Sequence, residues 1–138
     1  MDTQLDLFPD DTILAASEGY PDDNPKTVVG VTKPALSVVP PVALYTMAGA
    51  FQDGCVKYGK MNWRKHTVSV SVYYDAALRH MMAYHEREQV ADDSGVHHLG
   101  HAMACMAIIL DAEATGKLND DRPLAGTLPA FLKANTSK

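Results

Sequence analysis

The chain has 138 residues, 46% of them hydrophobic and 21% charged, an ordinary composition for one globular domain that excludes a wholly disordered chain. Its formal charge of −5 and pI near 5.6 leave no basic field for generic binding to nucleic-acid backbones or anionic membranes. The two cysteines, Cys55 and Cys105, stand far apart and outside any Cys-x-x-Cys pair, so neither a disulfide framework nor a cysteine zinc site is implied.

In chain order, residues 1–32 mix Asp, Pro and Gly without a sustained period and read as an N-terminal arm. The stretch from Lys33 to Pro41 is held extended by its prolines, and Pro41 suits the first position of a helix. Apolar positions at Leu44, Ala48, Phe51, Cys55 and Tyr58 then alternate in steps of four and three, which predicts an amphipathic helix ending near Gly59. A loop from Lys60 to about Ser69 leads to a second stripe, Tyr74, Ala77, Leu78, Met81 and His85, and a helix expected to reach about Gln89.

The segment Ala91-Asp92-Asp93-Ser94-Gly95 is turn chemistry, with Asp93 or Ser94 expected to cap a third helix that runs to Glu113 and stops at Gly116. That helix is apolar on almost every face from Ala102 to Leu110, which in so small a chain predicts a central position or burial against another subunit. A homo-oligomer is therefore expected. Residues 117–138 form a C-terminal tail whose Leu128, Phe131 and Leu132 suggest a short docking helix. The fold class is all-α: a small helical bundle over 33–116, with an arm before it and a tail after it. The acidic start is unlike a signal peptide, and the apolar run 102–110 is about half the length that spans a bilayer, so the expected compartment is the cytoplasm.

Five of the six histidines fall between the second helix and the start of the third, among Arg79, His80, His85, Glu86, Glu88, Asp92, Asp93, His97, His98 and His101. His98 and His101 are three apart and project from one helical face. A zincin helix needs Glu directly after its first His, and none stands there. Glu86, Glu88, Asp92 and Asp93 offer the hard oxygen ligands that Mg²⁺ prefers. A plain solvated helix end accounts for the same carboxylates.

A second cluster runs from Lys57 to Arg64. Lys57 and Arg64 can pair with phosphate, Asn62 can bond a base edge, and Trp63 can stack on a purine. A helix stop with an aromatic anchoring the loop to the core stands beside that reading. Lys33 is a further candidate phosphate ligand.

Taken in order, Lys33-Pro34, Leu36-Ser37, Pro40-Pro41, Gly54, Lys57-Tyr58-Gly59, Asn62-Trp63-Arg64, Arg79-His80, Glu88, Ser94-Gly95, His98-x-x-His101 and Leu110-Asp111 resemble the phage dATP/dGTP diphosphohydrolase family. These MazZ-type enzymes are distant relatives of MazG-like all-α nucleoside triphosphate pyrophosphohydrolases. The resemblance covers roughly residues 33–111. It implies an all-α bundle assembled as a homodimer or homotetramer. It also implies hydrolysis of dGTP and dATP to the monophosphate and pyrophosphate, with dGMP feeding 2-aminoadenine nucleotide synthesis in a phage and the host cytoplasm as the compartment.

The Glu-Glu-x-x-Glu and Glu-x-x-Asp patterns by which MazG-like enzymes hold Mg²⁺ are absent here. The expectation is accordingly Mg²⁺ or Mn²⁺ held by Glu88 and Asp93 with help from Glu86, His98 or His101. Glu88, His80 and Arg79 are the expected catalytic residues, and Lys57, Asn62, Trp63, Lys33 and Arg64 are expected around the nucleotide. The rival reading is a catalytically inactive nucleotide-binding helical module; a purely structural helical oligomer is a third.

Overall fold

A computed structural model describes Tyr20 and residues 22–136; the expected arm over residues 1–19 and at Pro21 lies outside them. The chain forms two compact units that divide between Pro40 and Pro41, so Lys33–Pro40 belong to the first unit and residues 117–138 to the second.

The described part of the first unit holds α1 (Pro25–Gly30) and a 3-10 turn at Leu36–Val38. Pro25 sits at the first turn, where its missing N–H is no loss, and Asn24 caps it by accepting from the Lys26 N–H at 2.9 Å. This helix begins inside the segment expected to be an aperiodic arm: local capping chemistry can start one turn of helix without any apolar stripe.

The second unit is built on three long helices, α2 (Pro41–Tyr58), α4 (Val70–His85) and α5 (His98–Thr115). Pro41 opens α2 and Gly116, at φ 72°, closes α5 in the left-handed conformation, as expected, whereas α4 stops at His85, short of the expected Gln89, where Arg87 turns the chain at φ 76°. Helix α5 is central and packs against both α2 and α4, as its all-round apolar sequence requires. The α5 cap differs from expectation: His97, not Asp93 or Ser94, caps α5, its Nδ1 accepting from the Leu99 N–H at 3.0 Å.

Small side chains make the seam. The buried apolar residues include Ala50 on α2, Ala77 on α4, and Ala102, Ala104 and Ala112 on α5. Gly100 of α5 meets the backbone of Thr46, where an added Cβ would stand 2.8 Å from the carbonyl oxygen.

Two elements between α2 and α4 were not visible as periodicity. Helix α3 (Asn62–Lys65) lies against α5. Its anchor is Asp111 of α5, whose carboxylate accepts from Trp63 Nε1 at 2.9 Å and from both Nε and Nη2 of Arg64. Phe51 of α2 packs on the indole, with ring centroids 5.2 Å apart. Strand β1 (Val68–Ser69) pairs in parallel with β2 (Leu118–Asn119), Val68 opposite Leu118, and buries Val68 almost completely. The tail carries α6 (Leu128–Ala134), near the short helix the sequence suggested. Among the described residues no helix is long and apolar enough to cross a membrane.

Replacing Gly100 by Ala sets two effects against each other. Alanine favours a helix interior by about 1 kcal/mol. Forcing a Cβ into an occupied position costs roughly 1–3 kcal/mol, here at the high end because the obstacle is backbone. The urea midpoint of G100A is expected to fall, and an unchanged or raised midpoint would mean that α2 and α5 part freely.

The Arg64 guanidinium beside Asp111 holds its carboxyl below the usual carboxylate range. A depressed pKa means the anchor is fully formed above the ordinary Asp value of about 3.9 and is lost only as pH falls through the lower folded value. Emission of Trp63, the only tryptophan, should therefore stay constant from neutral pH down to about 4 and redden only below it, with circular dichroism followed alongside. Asp111→Asn should already be red-shifted at pH 7; emission identical to that of the parent would remove Asp111 as the anchor.

Candidate active site

A cleft of about 530 Å³ opens between α2, α3, α4 and α5. Helix α2 contributes Phe51, Asp53 and Lys57 to its wall, α3 contributes Asn62 and Trp63, α4 contributes Tyr73, Arg79 and His80, and α5 contributes His101 and Cys105. Residues up to about fifty positions apart in sequence thus face one space, rimmed by a cation at Arg79 and an aromatic wall at Phe51, Trp63 and Tyr73. Burial raises the Tyr73 phenol and the Cys105 thiol above their ordinary values, so both are neutral at pH 7.

The segment after α4 folds back over the start of α5. Arg87 turns the chain with φ 76°, Val90 and His97 form an antiparallel bridge, and the Ala91 N–H donates to Val96 O at 2.9 Å. This hairpin carries Glu88, Asp93 and Ser94 to three different partners. The Glu88 carboxylate meets His98 Nε2 at 2.7 Å. Asp93 accepts from Lys57 Nζ at 2.6 Å, and Asp53 takes the same ammonium at 2.9 Å. Ser94 Oγ bonds His101 Nε2 at 2.7 Å.

The three histidines form one assembly. His98 is buried, 5% exposed, and its Nδ1 lies 2.9 Å from Nδ1 of His80. The His80 ring stacks on His101 with centroids 4.6 Å apart and planes inclined by 15°. Desolvation lowers the pKa of His80, and the neighbouring His101 and His98 lower it further; burial likewise lowers His101. Both stay neutral at physiological pH.

The residues expected around a nucleotide divide into groups. Lys57, Asn62 and Trp63 line the cleft with Arg79 and His80. Arg64 does not: its guanidinium is spent on Asp111. Trp63 serves both readings weighed for it, lining the cleft while its N–H anchors α3. Lys33 is exposed in the turn after α1, in the first unit. Lys57 carries its charge between two carboxylates, Asp93 above all, and these raise its pKa. Arg79 has no ion-pair partner among the described residues, which leaves its cation the more available to an anion.

The carboxylates and imidazoles expected to hold a metal ion are paired off rather than gathered. Glu88 is bonded to His98, Asp93 to Lys57 and His101 to Ser94, while Glu86 is the exposed C-cap of α4. Among the described residues no three His, Cys, Asp or Glu side chains are grouped so as to hold a metal ion. As placed, this donor set does not fit a resident Mg²⁺ or Mn²⁺. Several working residues escaped the sequence reading of the site, among them Phe51 and Tyr73 of the cleft wall, Asp53 and Ser94. Asp53 lies one helical turn before Lys57, a spacing that signals an ion pair. Ser94 stands in the sequence as turn chemistry, a candidate cap and part of the resemblance, with nothing local that points to His101.

A family model described as "dATP/dGTP diphosphohydrolase, N-terminal" matches residues 23–122, a stretch that contains every cleft residue named above. A protein of Salmonella phage PMBT28 named dATP/dGTP diphosphohydrolase is 27% identical over 97 residues, covering 70% of this chain and 33% of that protein. The chain thus spans about a third of the length of the curated relative it matches. No solved structure matches. With most of its length, and the whole wall of its cleft, inside the matched stretch, the chain belongs to the dATP/dGTP diphosphohydrolase N-terminal family.

Proposed function

We propose that the cleft binds a purine deoxynucleoside triphosphate, dGTP or dATP, and hydrolyses it to the monophosphate and pyrophosphate. The observation that carries this reading is the placement of Arg79, His80 and the Phe51–Trp63–Tyr73 wall around one cleft, in a chain whose family is named for dATP and dGTP. Arg79 can neutralise phosphate oxygens through a forked set of donors. Asn62 offers both a donor and an acceptor to a base edge, and the aromatic wall suits a flat purine. His80, neutral and facing the cleft, takes a proton from the water that attacks the α-phosphorus.

Lys57 with Asp53 and Asp93 sums to one net negative charge, so this side of the cleft does not by itself neutralise a triphosphate. The Mg²⁺ or Mn²⁺ expected from the resemblance is therefore proposed to enter as the counter-ion of the nucleotide. Release of dGMP into 2-aminoadenine nucleotide synthesis is the physiological end of the same reading. One observation favours the alternative of an inactive nucleotide-binding module, namely the lack of a grouped metal-ligand set among the described residues.

The deciding experiment is pyrophosphate release from a panel of ribo- and deoxynucleoside triphosphates, with Mg²⁺, with Mn²⁺ and with chelator. Release confined to dGTP and dATP, and stopped by chelator, is expected. Binding of those nucleotides without release would establish the inactive module instead. Within an active enzyme, Arg79→Gln should raise KM for dGTP by about tenfold or more, as loss of a charged hydrogen bond to phosphate requires; an unchanged KM would take Arg79 off the phosphates.

A self-associated molecule, homodimer or homotetramer, belongs to the proposal as well. Its support is the chain's exterior: Val56 of α2, Met82 of α4, and Met106 and Leu110 of α5 are all exposed, while the buried apolar side chains among the described residues are alanines and valines. Light scattering behind size exclusion should give a mass of two or four chains, and a monomer at micromolar concentration would refute the assembly.

A further inference from the structure

We infer that Glu88 and His98 are positioning residues that fix the tautomer of His80, leaving its Nε2 bare and open to the cleft as the proton acceptor. The inference rests on the hydrolase reading for its purpose but on hydrogen positions for its content. A carboxylate has no proton to give, so the 2.7 Å contact from Glu88 requires the hydrogen on His98 Nε2. Where His98 carries a single ring hydrogen, its Nδ1 is then bare. The 2.9 Å contact between His98 Nδ1 and His80 Nδ1 must therefore be made by a hydrogen on His80. With that hydrogen on Nδ1, neutral His80 has none on Nε2.

His80 Nε2 is also reachable. It has no hydrogen-bond partner among the described residues, whereas no buried side-chain nitrogen or oxygen among them lacks one, so this atom is not buried. His80 lines the cleft; neither Glu88 nor His98 does. Stacking on His101, itself tied to Ser94, fixes the plane of the ring. The groups facing His80 are Arg79 beside it on α4, His98 and His101 from α5, and Asp93 from the hairpin.

In the proposed step a water proton passes to His80 Nε2 while the hydrogen on its Nδ1 moves to His98 Nδ1. The water oxygen forms its bond to the α-phosphorus, and pyrophosphate leaves with the electron pair of the broken P–O bond. The positive charge comes to rest on His98, against the Glu88 carboxylate. The proton later returns to solvent by the reverse path. Glu88 thus acts on the reaction without touching the substrate.

The test is nitrogen-15 NMR of the imidazoles in the full chain at neutral pH, with His80 assigned by the signal lost in His80→Gln. The expected spectrum shows His80 protonated at Nδ1 and bare at Nε2; a proton on Nε2 in the parent protein overturns the inference. Glu88 is about half exposed, so its substitution leaves the core intact. Glu88→Lys can only donate to His98 Nε2, which reverses every hydrogen in the line and should put a proton on His80 Nε2. Glu88→Gln can still accept through its carbonyl and should restore the parent tautomer. Where pyrophosphate release is measurable, kcat of E88K should fall about a hundredfold, the scale of general-base catalysis, with KM unchanged and with partial rescue in E88Q. A reversed tautomer with unaltered kcat would overturn the role of the pair. An Nδ1-protonated His80 in a chain that releases no pyrophosphate would uphold the hydrogen line and refute the hydrolase reading.

Discussion

The approach of α2 to α5 at Gly100 is the constraint on which the rest of the second unit depends. A side chain there would collide with the carbonyl of Thr46, so only glycine lets the two backbones meet. From that point α5 presents Ala102, Ala104 and Ala112 to its neighbours, and helices that share alanines pack closely but bury little area per residue. Below the contact the helices do not close. The space between Phe51, Tyr73 and Cys105 is left as the cleft, and the small side chains of Ala50, Ala76 and Ala104 line it too.

A thin apolar seam puts more weight on polar contacts, and two of these are made by α5. Asp111 near its C-terminal end ties down α3, and His98 at its N-terminal end ties down the hairpin through Glu88. The hairpin in turn reaches across to Lys57 of α2 through Asp93. Exposed ion pairs of this kind contribute little stability singly. Their value here is geometric, because each one fixes the position of a residue at the rim of the cleft.

The three long helices were legible in the sequence because a period near 3.6 survives in any context, and because Pro41 and Gly116 mark an end in the backbone itself. What the sequence concealed were partnerships. Trp63 and Arg64 lie 48 and 47 residues from Asp111, and Lys57 lies 36 from Asp93; nothing local announces such pairs. The expected metal ligands show the same limit. Residue type and helical face brought Glu88, Asp93, His98 and His101 to notice, and the fold pairs Glu88 with His98, Asp93 with Lys57 and His101 with Ser94. Helix α3 and the β1–β2 pair were missed for a related reason: four residues and two residues are too short to carry a period.

A base that works beside a triphosphate faces conflicting demands. A carboxylate would repel the substrate before it could take a proton from water, and a protonated base could not take one at all. A desolvated imidazole meets both conditions. Burial holds the His80 pKa down, and on the proposed function the imidazole would stay uncharged while the nucleotide binds and take on charge only as negative charge develops on the phosphorus oxygens. The same burial would make that cation costly if it stayed in the cleft. On the same proposal, the line through His98 to Glu88 would let it come to rest at a carboxylate that is about half exposed, away from the substrate. On the proposed function, the histidine cluster at the entrance of α5 is the means by which an acidic protein would keep a base next to an anion.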